Sequence, residues 1–327
     1  MLDLRRRQLI TLLGGAAAWP FAARAQQGSR LPTIGFLGSN ASGWGPWTAA
    51  FAGRLRELGW IEGRTITIEY RWSEGRAERI VQAVAEFVRL NVDVIVTSGT
   101  PQVIAAKQAT SVIPIVFATA GNPVGAGLVA SLARPGGNVT GLSTQSDDIA
   151  GKRLELLREV LPNLRRVAIL ANVSNPFSVL ELGEAQAAAR ALGLEVTALE
   201  IRRSEEIGPA FDALKGRAEA LYVCPDGLVN ANRIRINISA LGARLPTMHG
   251  HRDYVEAGGL MSYGANYPDL FRRSAEYVDK ILRGAKPGDI PVQQPTKFDF
   301  IINLTTAKAL GLALPPTWLT RASEVIE

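Results

Sequence analysis

Val92-Asp93-Val94-Ile95-Val96-Thr97 reads as a short, nearly continuous apolar strand, the kind a parallel sheet buries on both faces. Polar groups follow at once, Ser98, Gly99 and Thr100, and helical spacing then runs from Gln102 to Ala109. A second apolar run, Ile113 to Ala118, comes next. Strand, helix and strand in this order imply an α/β fold with a mostly parallel, doubly wound sheet.

The same alternation extends in both directions. Upstream, Thr33 to Gly38 is a strand, and Trp47 to Leu58 is a helix stopped by Gly59. Thr65 to Trp72 is a strand in which Ile66, Ile68 and Tyr70 alternate with period two. Ala77 to Leu90 is a helix with an apolar stripe at Ile80, Val84, Phe87 and Val88. Downstream, the order repeats. Arg166 to Ala171 is a strand, and Val179 to Leu192 is a helix ended by Gly193. Glu195 to Ile201 is a strand, a helix carries Phe211 and Leu214, and Ala220 to Cys224 is a strand followed by a helix to about Leu241. Leu245-Pro246-Thr247-Met248 then mirrors Ile113-Pro114-Ile115-Val116 at an offset of about 130 residues. The repeat is one of pattern, and it describes two Rossmann-like lobes side by side.

Two glycine-rich segments, Asn138 to Ser143 and Gly258 to Gly264, close the two units and read as connections between lobes. A helix from about Leu270 to Leu282, a Gly/Pro-rich stretch from Gly284 to Pro295 and a strand-like run from Phe298 to Ile302 follow. This tail is too short for a third domain, so it returns to the lobes. The expected division is 26–143 with about 264–297 in one lobe, and 144–263 with about 298–327 in the other. Several chain crossings make a hinge, and a hinge makes the cleft a binding site.

Of the 327 residues, 47% are hydrophobic and 20% charged, which is ordinary globular composition. Residues 1–25 read as an export signal: Arg5, Arg6 and Arg7, an apolar run from Leu9 to Ala18, then Ala23-Arg24-Ala25 as a cleavage pattern. The order Arg6-Arg7-Gln8-Leu9-Ile10 resembles a twin-arginine signal, with an ordinary secretory signal as the alternative. No Cys follows the apolar run, so no lipid anchor is expected, and a periplasmic protein released after about Ala25 fits best. That segment carries four Arg and one Asp, half of the formal net charge of +6. The remaining basic residues are interleaved with Glu, a solvated surface and no nucleic-acid footprint. Cys224 is the single cysteine, at the end of an apolar run, and reads as a small buried hydrophobe. No dinucleotide fingerprint, Walker loop or nucleophile elbow is present. His249-Gly250-His251 with Asp253 is a poor zinc set. Neither an enzyme nor a cofactor or metal is expected.

In open α/β sheets, ligands sit beyond the carboxyl ends of the strands. Those positions hold Ser39, Asn40, Trp44, Trp47, Ser98, Gly99, Thr100, Thr119, Gly121 and Asn122 in the first lobe. The second lobe adds Asn172, Asn175, Asp226 and His249, and Tyr263 stands at a crossing. Hydroxyls and amides just before helices, with the free N–H groups of helix starts, suit a carboxylate. Asp226 is placed to face an ammonium, and the aromatic rings to stack on a side chain. Each has a plainer reading: Ser98 and Thr100 as caps, Asp226 as a turn or N-cap residue, Trp44 and Trp47 as cover for the lobe's edge.

Several segments resemble the ABC transporter substrate-binding family described as tryptophan/tyrosine-type. They are Glu69-Tyr70-Arg71-Trp72, Ala105 to Thr110, Ile113 to Phe117, the long block Gly127 to Gly141, Gly258 to Gly264, Pro291 to Phe298, and Asn303 to Gly311. The resemblance runs from about residue 31 to the end and implies a type I periplasmic-binding fold. It also implies a monomer that captures a small molecule, an amino acid or related organic acid, and delivers it to an inner-membrane permease and ATPase. The family usually has Asp-Pro where this chain has Asn122-Pro123, which points to a different or less cationic ligand. A sensing partner of a membrane receptor, and more remotely an enzyme on the same scaffold, are the competing readings.

Overall fold

The computed structural model describes residues 30–41, 43–144, 149–214, 216–314 and 316–327; the export signal read in residues 1–25 lies outside them. In chain order, the first half contains β1 (Thr33–Gly38), α1 (Gly45–Glu57), β2 (Thr67–Trp72), α2 (Ala77–Leu90), β3 (Val94–Ser98), α3 (Thr100–Ala109), β4 (Ile115–Ala120) and β5 (Val139–Ser143). The second half contains α4 (Ala150–Val160), β6 (Arg166–Asn172), α5 (Pro176–Ala191), β7 (Glu195–Ile201), α6 (Ile207–Leu214), β8 (Ala220–Val223), α7 (Gly227–Ala231), α8 (Arg233–Gly242), β9 (Thr247–His249), α9 (Arg252–Glu256) and β10 (Met261–Ala265). It ends with α10 (Tyr267–Leu282), β11 (Phe298–Asn303), α11 (Leu304–Ala309), α12 (Pro316–Arg321) and β12 (Glu324–Ile326).

The strands form two sheets, β2-β1-β3-β4-β5 and β12-β11-β10-β9-β8-β6-β7. Every pairing is parallel except β10 with β11. β3 and β4 are buried along their whole length, which is why they read as unbroken apolar runs. Each sheet carries an apolar core on both faces: Phe36, Phe51 and Phe271 on one side of the first sheet, Leu37, Phe87 and Phe117 on the other. Leu157, Tyr222 and Ile302 mark one face of the second sheet, with Leu170, Phe211 and Ile236 on the other. The stripe on α2 is buried at Ile80, Val84 and Phe87, while Val88 is exposed. Gly59 and Gly193 take positive φ just past their helices, as stop residues.

Two segments read from sequence as connections are strands. Asn138 to Ser143 supplies β5, and Gly258 to Gly264 leads into β10. Glycine is there for packing: an added Cβ at Gly264 would lie 1.7 Å from the Gly250 carbonyl oxygen. β5 lies in the first sheet and α4 packs in the second half, β10 lies in the second sheet and α10 packs on the first, and the chain changes sheet again near Gln293 to Phe298. Gln293 still bridges to Leu142 in the first sheet, and Phe298 opens β11 in the second. Between the last two passages α10 packs on α1, burying Leu270, Phe271, Tyr277 and Val278 in the core of the first sheet. Residues 316–327 finish the second sheet, with Trp318 buried against Phe300. Among the described residues, no helix is long and apolar enough to cross a membrane.

Candidate functional site

The carboxyl ends of both sheets face each other across a closed cleft. An added Cβ at Gly75 would lie 3.3 Å from Ala231 Cβ, and one at Gly227 3.6 Å from Ser39 Oγ. The ring of Phe177, at the start of α5, lies over Gly121, where an added Cβ would be 1.8 Å from Phe177 Cδ2. These contacts narrow the cleft to a partly open inner cavity of about 70 Å3.

The first sheet supplies Ser39, Ser98, Gly99, Thr100, Gln102 and Thr119 to its walls. Gly99 takes φ +93°, so the chain turns directly from β3 into α3. No side chain caps α3, and because Pro101 has no N–H and Val103 N–H bonds the Gly99 carbonyl, its first turn offers the Thr100 and Gln102 N–H groups beside the Thr100 hydroxyl. Ser98 Oγ and Thr119 Oγ1 share a hydrogen bond, and Gln102 Nε2 lies 3.4 Å from Ser39 Oγ. Thr100 Oγ1 is buried without a hydrogen-bond partner among the described residues, and it lines the cavity.

The second sheet supplies Asn175, Asp226, Asn230 and His251. Asp226 caps α7: its Oδ1 accepts from the Leu228 and Val229 N–H groups at 2.7 and 3.2 Å. Asn172 Nδ2 donates to Oδ1 at 3.0 Å and Asn175 Nδ2 to Oδ2 at 2.9 Å. The N-cap reading of Asp226 is therefore correct, and the same carboxylate still lines the cavity. Asn230 Oδ1 is a second buried acceptor without a partner among the described residues. Trp44, Trp47 and Tyr267 close the remaining side with their rings, and Trp47 and Tyr267 stand 4.9 Å apart between centroids.

Not every strand-end residue reaches the cavity. Asn40 Oδ1 accepts from Gly43 N–H at 2.7 Å, and Asn122 Oδ1 from Gly125 N–H at 2.8 Å; both shape turns outside it. The exchange of Asp for Asn at 122 therefore acts on a turn, with no side chain in the cleft. Asn172 lies one layer further out, in a vestibule of about 490 Å3 near the mouth. His249 is buried beneath the site, stacked on Tyr254 at 4.9 Å. Burial holds both His249 and His251 down at about 3, with the nearby Arg153 charge adding to the effect. Tyr263 stacks on Phe298 within the second sheet, and only its carbonyl is engaged, by Arg153 Nε at 2.7 Å. Gln102, Phe177, Asn230, His251 and Tyr267 line the cavity and are absent from the strand-end reading, whereas Gly121 belongs to that reading and lines the cavity. Gln102, Phe177 and Asn230 sit within the first residues of helices that follow those strands, a signal present in the sequence.

Behind the site, Arg153 and Glu181 form a fully buried ion pair at 2.5 Å, and Tyr222 bonds both, at 2.9 and 2.6 Å. Cys224 is buried, and burial pushes its thiol well up, so it is an inert hydrophobe. Among the described residues, no group of His, Cys, Asp and Glu has the arrangement to hold a metal ion.

The family model for ABC transporter substrate binding proteins matches residues 49–326, and the chain belongs to that family. It is 30% identical over 262 residues to a tyrosine-binding protein of Clostridioides difficile strain R20291, covering 80% of this chain and 75% of that one. The structure of an ABC domain from Streptococcus pneumonia in complex with L-Trp is 27% identical, with a TM-score of 0.85 over 91% of this chain and all of the other. The ligand-free, open structure of a substrate binding protein with adhesive properties from Clostridium difficile is 29% identical, with a TM-score of 0.67 over 90% of this chain and 99% of the other. The fold is the type I periplasmic-binding fold, as the resemblance implied, and a solute binding protein at 16% identity shares it with a TM-score of 0.60.

Proposed function

We propose that this protein is the exported ligand-capturing component of an ABC importer and that it binds an amino acid, with its carboxylate on the first lobe and its ammonium on the second. The observation that carries this reading is that Thr100 and Asn230 line one cavity from opposite sheets, each with a buried side-chain oxygen that has no hydrogen-bond partner among the described residues. The bare N–H groups of α3, with Ser98 and Thr119, form a carboxylate cradle; Asp226 and Asn230 form an ammonium site. A ligand that satisfies both halves contacts both only when the cleft is shut, so it shifts the population toward the closed form. The better superposition on the L-Trp complex than on the open relative supports the closed reading. The names of the tyrosine- and tryptophan-binding relatives support an amino-acid ligand.

In this reading the two lobes, 26–143 with about 264–297 and 144–263 with about 298–327, move as units about the three crossings. Export removes the segment ending at about Ala25, and a monomer presents the closed shape to the permease and ATPase. No covalent step is required. Calorimetric titration of the chain from Gln26 onward with amino acids and small carboxylates tests it. Binding of an amino acid that is lost in Asp226→Ala supports the assignment; binding only of ligands without an ammonium refutes it.

A further inference from the structure

At the turn between β2 and α2, Glu74 takes φ +52° and Gly75 φ +70°. Among the described residues, the other two non-glycine residues with positive φ are Asn91 and Arg244, which end α2 and α8 in the ordinary left-handed stop. Glu74 ends no helix. A residue with a side chain is strained in this region and persists only where its surroundings hold it. Here the hold is backbone: Ser73 N–H donates to the Gly38 carbonyl at 2.9 Å, and Glu74 N–H to the Ser39 carbonyl at 2.6 Å. The strained turn is fastened to the carboxyl end of β1, beside Ser39 on the cavity wall.

Across the cleft, this turn meets α7. An added Cβ at Gly75 would lie 3.3 Å from Ala231 Cβ, 3.6 Å from the Gly227 carbonyl oxygen and 3.8 Å from Leu228 Cα. Gly227, Leu228 and Ala231 share one face of α7. Gly75 offers bare backbone to that face; a side chain there would strain the turn and hold α7 away. At its start α7 is capped by Asp226, whose residue lines the cavity. The short helix therefore has one end on the binding site and one face on the opposite lobe. Neither Gly75 nor Ala231 lines the inner cavity.

We propose that the Glu74–Gly75 turn is a seat for α7, a closing contact outside the inner cavity that sets ligand affinity by favouring the shut cleft. This rests on the ligand-capturing reading of the cleft. A ligand held by Asp226 fixes the start of α7, and α7 meets the seat only when the lobes are shut. The seat adds to the closed form and to nothing else, so a change in it scales the affinity for every ligand by one factor. A residue that touches the ligand changes different ligands unequally. The strain at Glu74 then has a reason: the left-handed turn brings the Gly75 backbone to the place where α7 arrives.

Paired cysteines, Gly75→Cys with Ala231→Cys in the chain from Gln26 onward, test the seat. The 3.3 Å between their Cβ positions is close to the span of about 3.8 Å that a disulfide bridges, and the native Cys224 is buried and does not compete. Oxidation with diamide should join residues 75 and 231, read by mass spectrometry of the linked peptides. Small-angle scattering should then show a compact chain that reduction reopens, and melting of the reduced pair checks that it is folded. Saturating L-tyrosine or L-tryptophan should speed the joining several-fold. Ala231 is exposed, so Ala231→Trp should leave the melting of the ligand-free chain unchanged. It should lower the affinities for L-tyrosine and L-tryptophan by one common factor, about fivefold or more. The seat is overturned if both new thiols react with a maleimide yet never join, if Ala231→Trp binds as the wild type does, or if the two affinities fall by clearly different factors. If neither amino acid binds but the bond forms and compacts the chain, the amino-acid reading fails alone. If they bind and the bond does not form, the seat fails alone.

Discussion

Gly121→Ala is a test of closure in which one methyl group decides the outcome. Gly121 lies outside the positive-φ glycines, so alanine meets no backbone strain there. The obstacle is across the cleft: the new Cβ would sit 1.8, 1.9 and 2.4 Å from Cδ2, Cε2 and Cγ of Phe177. Relief requires a shift of roughly 2 Å, since carbon atoms pack at about 3.5–4.0 Å. Phe177 is 6% exposed and belongs to none of the four apolar cores, so its ring packs across the cleft. Overpacking of this kind costs about 1–3 kcal/mol. The cost falls on the closed form alone, so the closed population drops by about 5- to 150-fold, and apparent affinity falls by the same factor where closure limits binding. Titration calorimetry reads the affinity, and small-angle scattering reads the change in radius on adding ligand. Thermal stability of the ligand-free chain should change little, because each lobe keeps its own core. Gly121→Ala with Phe177→Ala should recover much of the affinity, since the truncated side chain leaves room for the methyl. Wild-type affinity and compaction in the single variant would refute the cross-cleft contact.

Three further outcomes follow from the same geometry. Asp226→Ala removes the cap of α7 and the partner of two buried amides, so denaturant unfolding should show a loss of about 1–2 kcal/mol, alongside weaker ligand binding; unchanged stability would contradict the capping role. Arg153→Met leaves the buried Glu181 without its guanidinium and should cost about 3–5 kcal/mol, much of which a second change, Glu181→Met, should restore; additive losses in the pair would count against the buried ion pair. Acid should weaken the fold through His249 and His251, which stay neutral to about 3 when folded but take protons near 6.5 when unfolded, so the unfolded state gains protons first as pH falls. From pH 6.5 to 4.5 the two cost about 5 kcal/mol together, while Asp253, protonated up to about 7 in the fold, returns about 3 kcal/mol over the same range. Equilibrium unfolding should show a net loss of about 2 kcal/mol, and His249→Gln should flatten the slope.

The order of strands and helices was legible because burial on both faces leaves a plain mark: Ile95, Val96, Val116 and Phe117 have no polar neighbour facing solvent within their strands. The positions of Ser39, Ser98, Gly99, Thr100, Thr119 and Asp226 on the cavity wall follow from the same order, since parallel strands carry their carboxyl ends to one edge. Asn40 and Asn122 stand off the cavity wall because a short amide side chain can bond its own loop as readily as a ligand. β5 and β10 read as connections in the sequence because glycine lowers the apparent strand signal where backbones approach closely. Phe177, His251 and Tyr267 come together only through the closing angle of two lobes and the return of α10, which local pattern does not encode.

The return of α10 also sets when the protein can fold. The apolar face of α1, with Trp47, Phe51 and Leu55, is covered by Leu270, Phe271 and Val278, more than two hundred residues later in the chain. A ribosome making this protein therefore cannot release a finished first lobe while it starts the second. The early half must wait with a bare greasy helix until nearly the whole polypeptide has emerged, and that interval is when a chaperone or an export factor has something to hold.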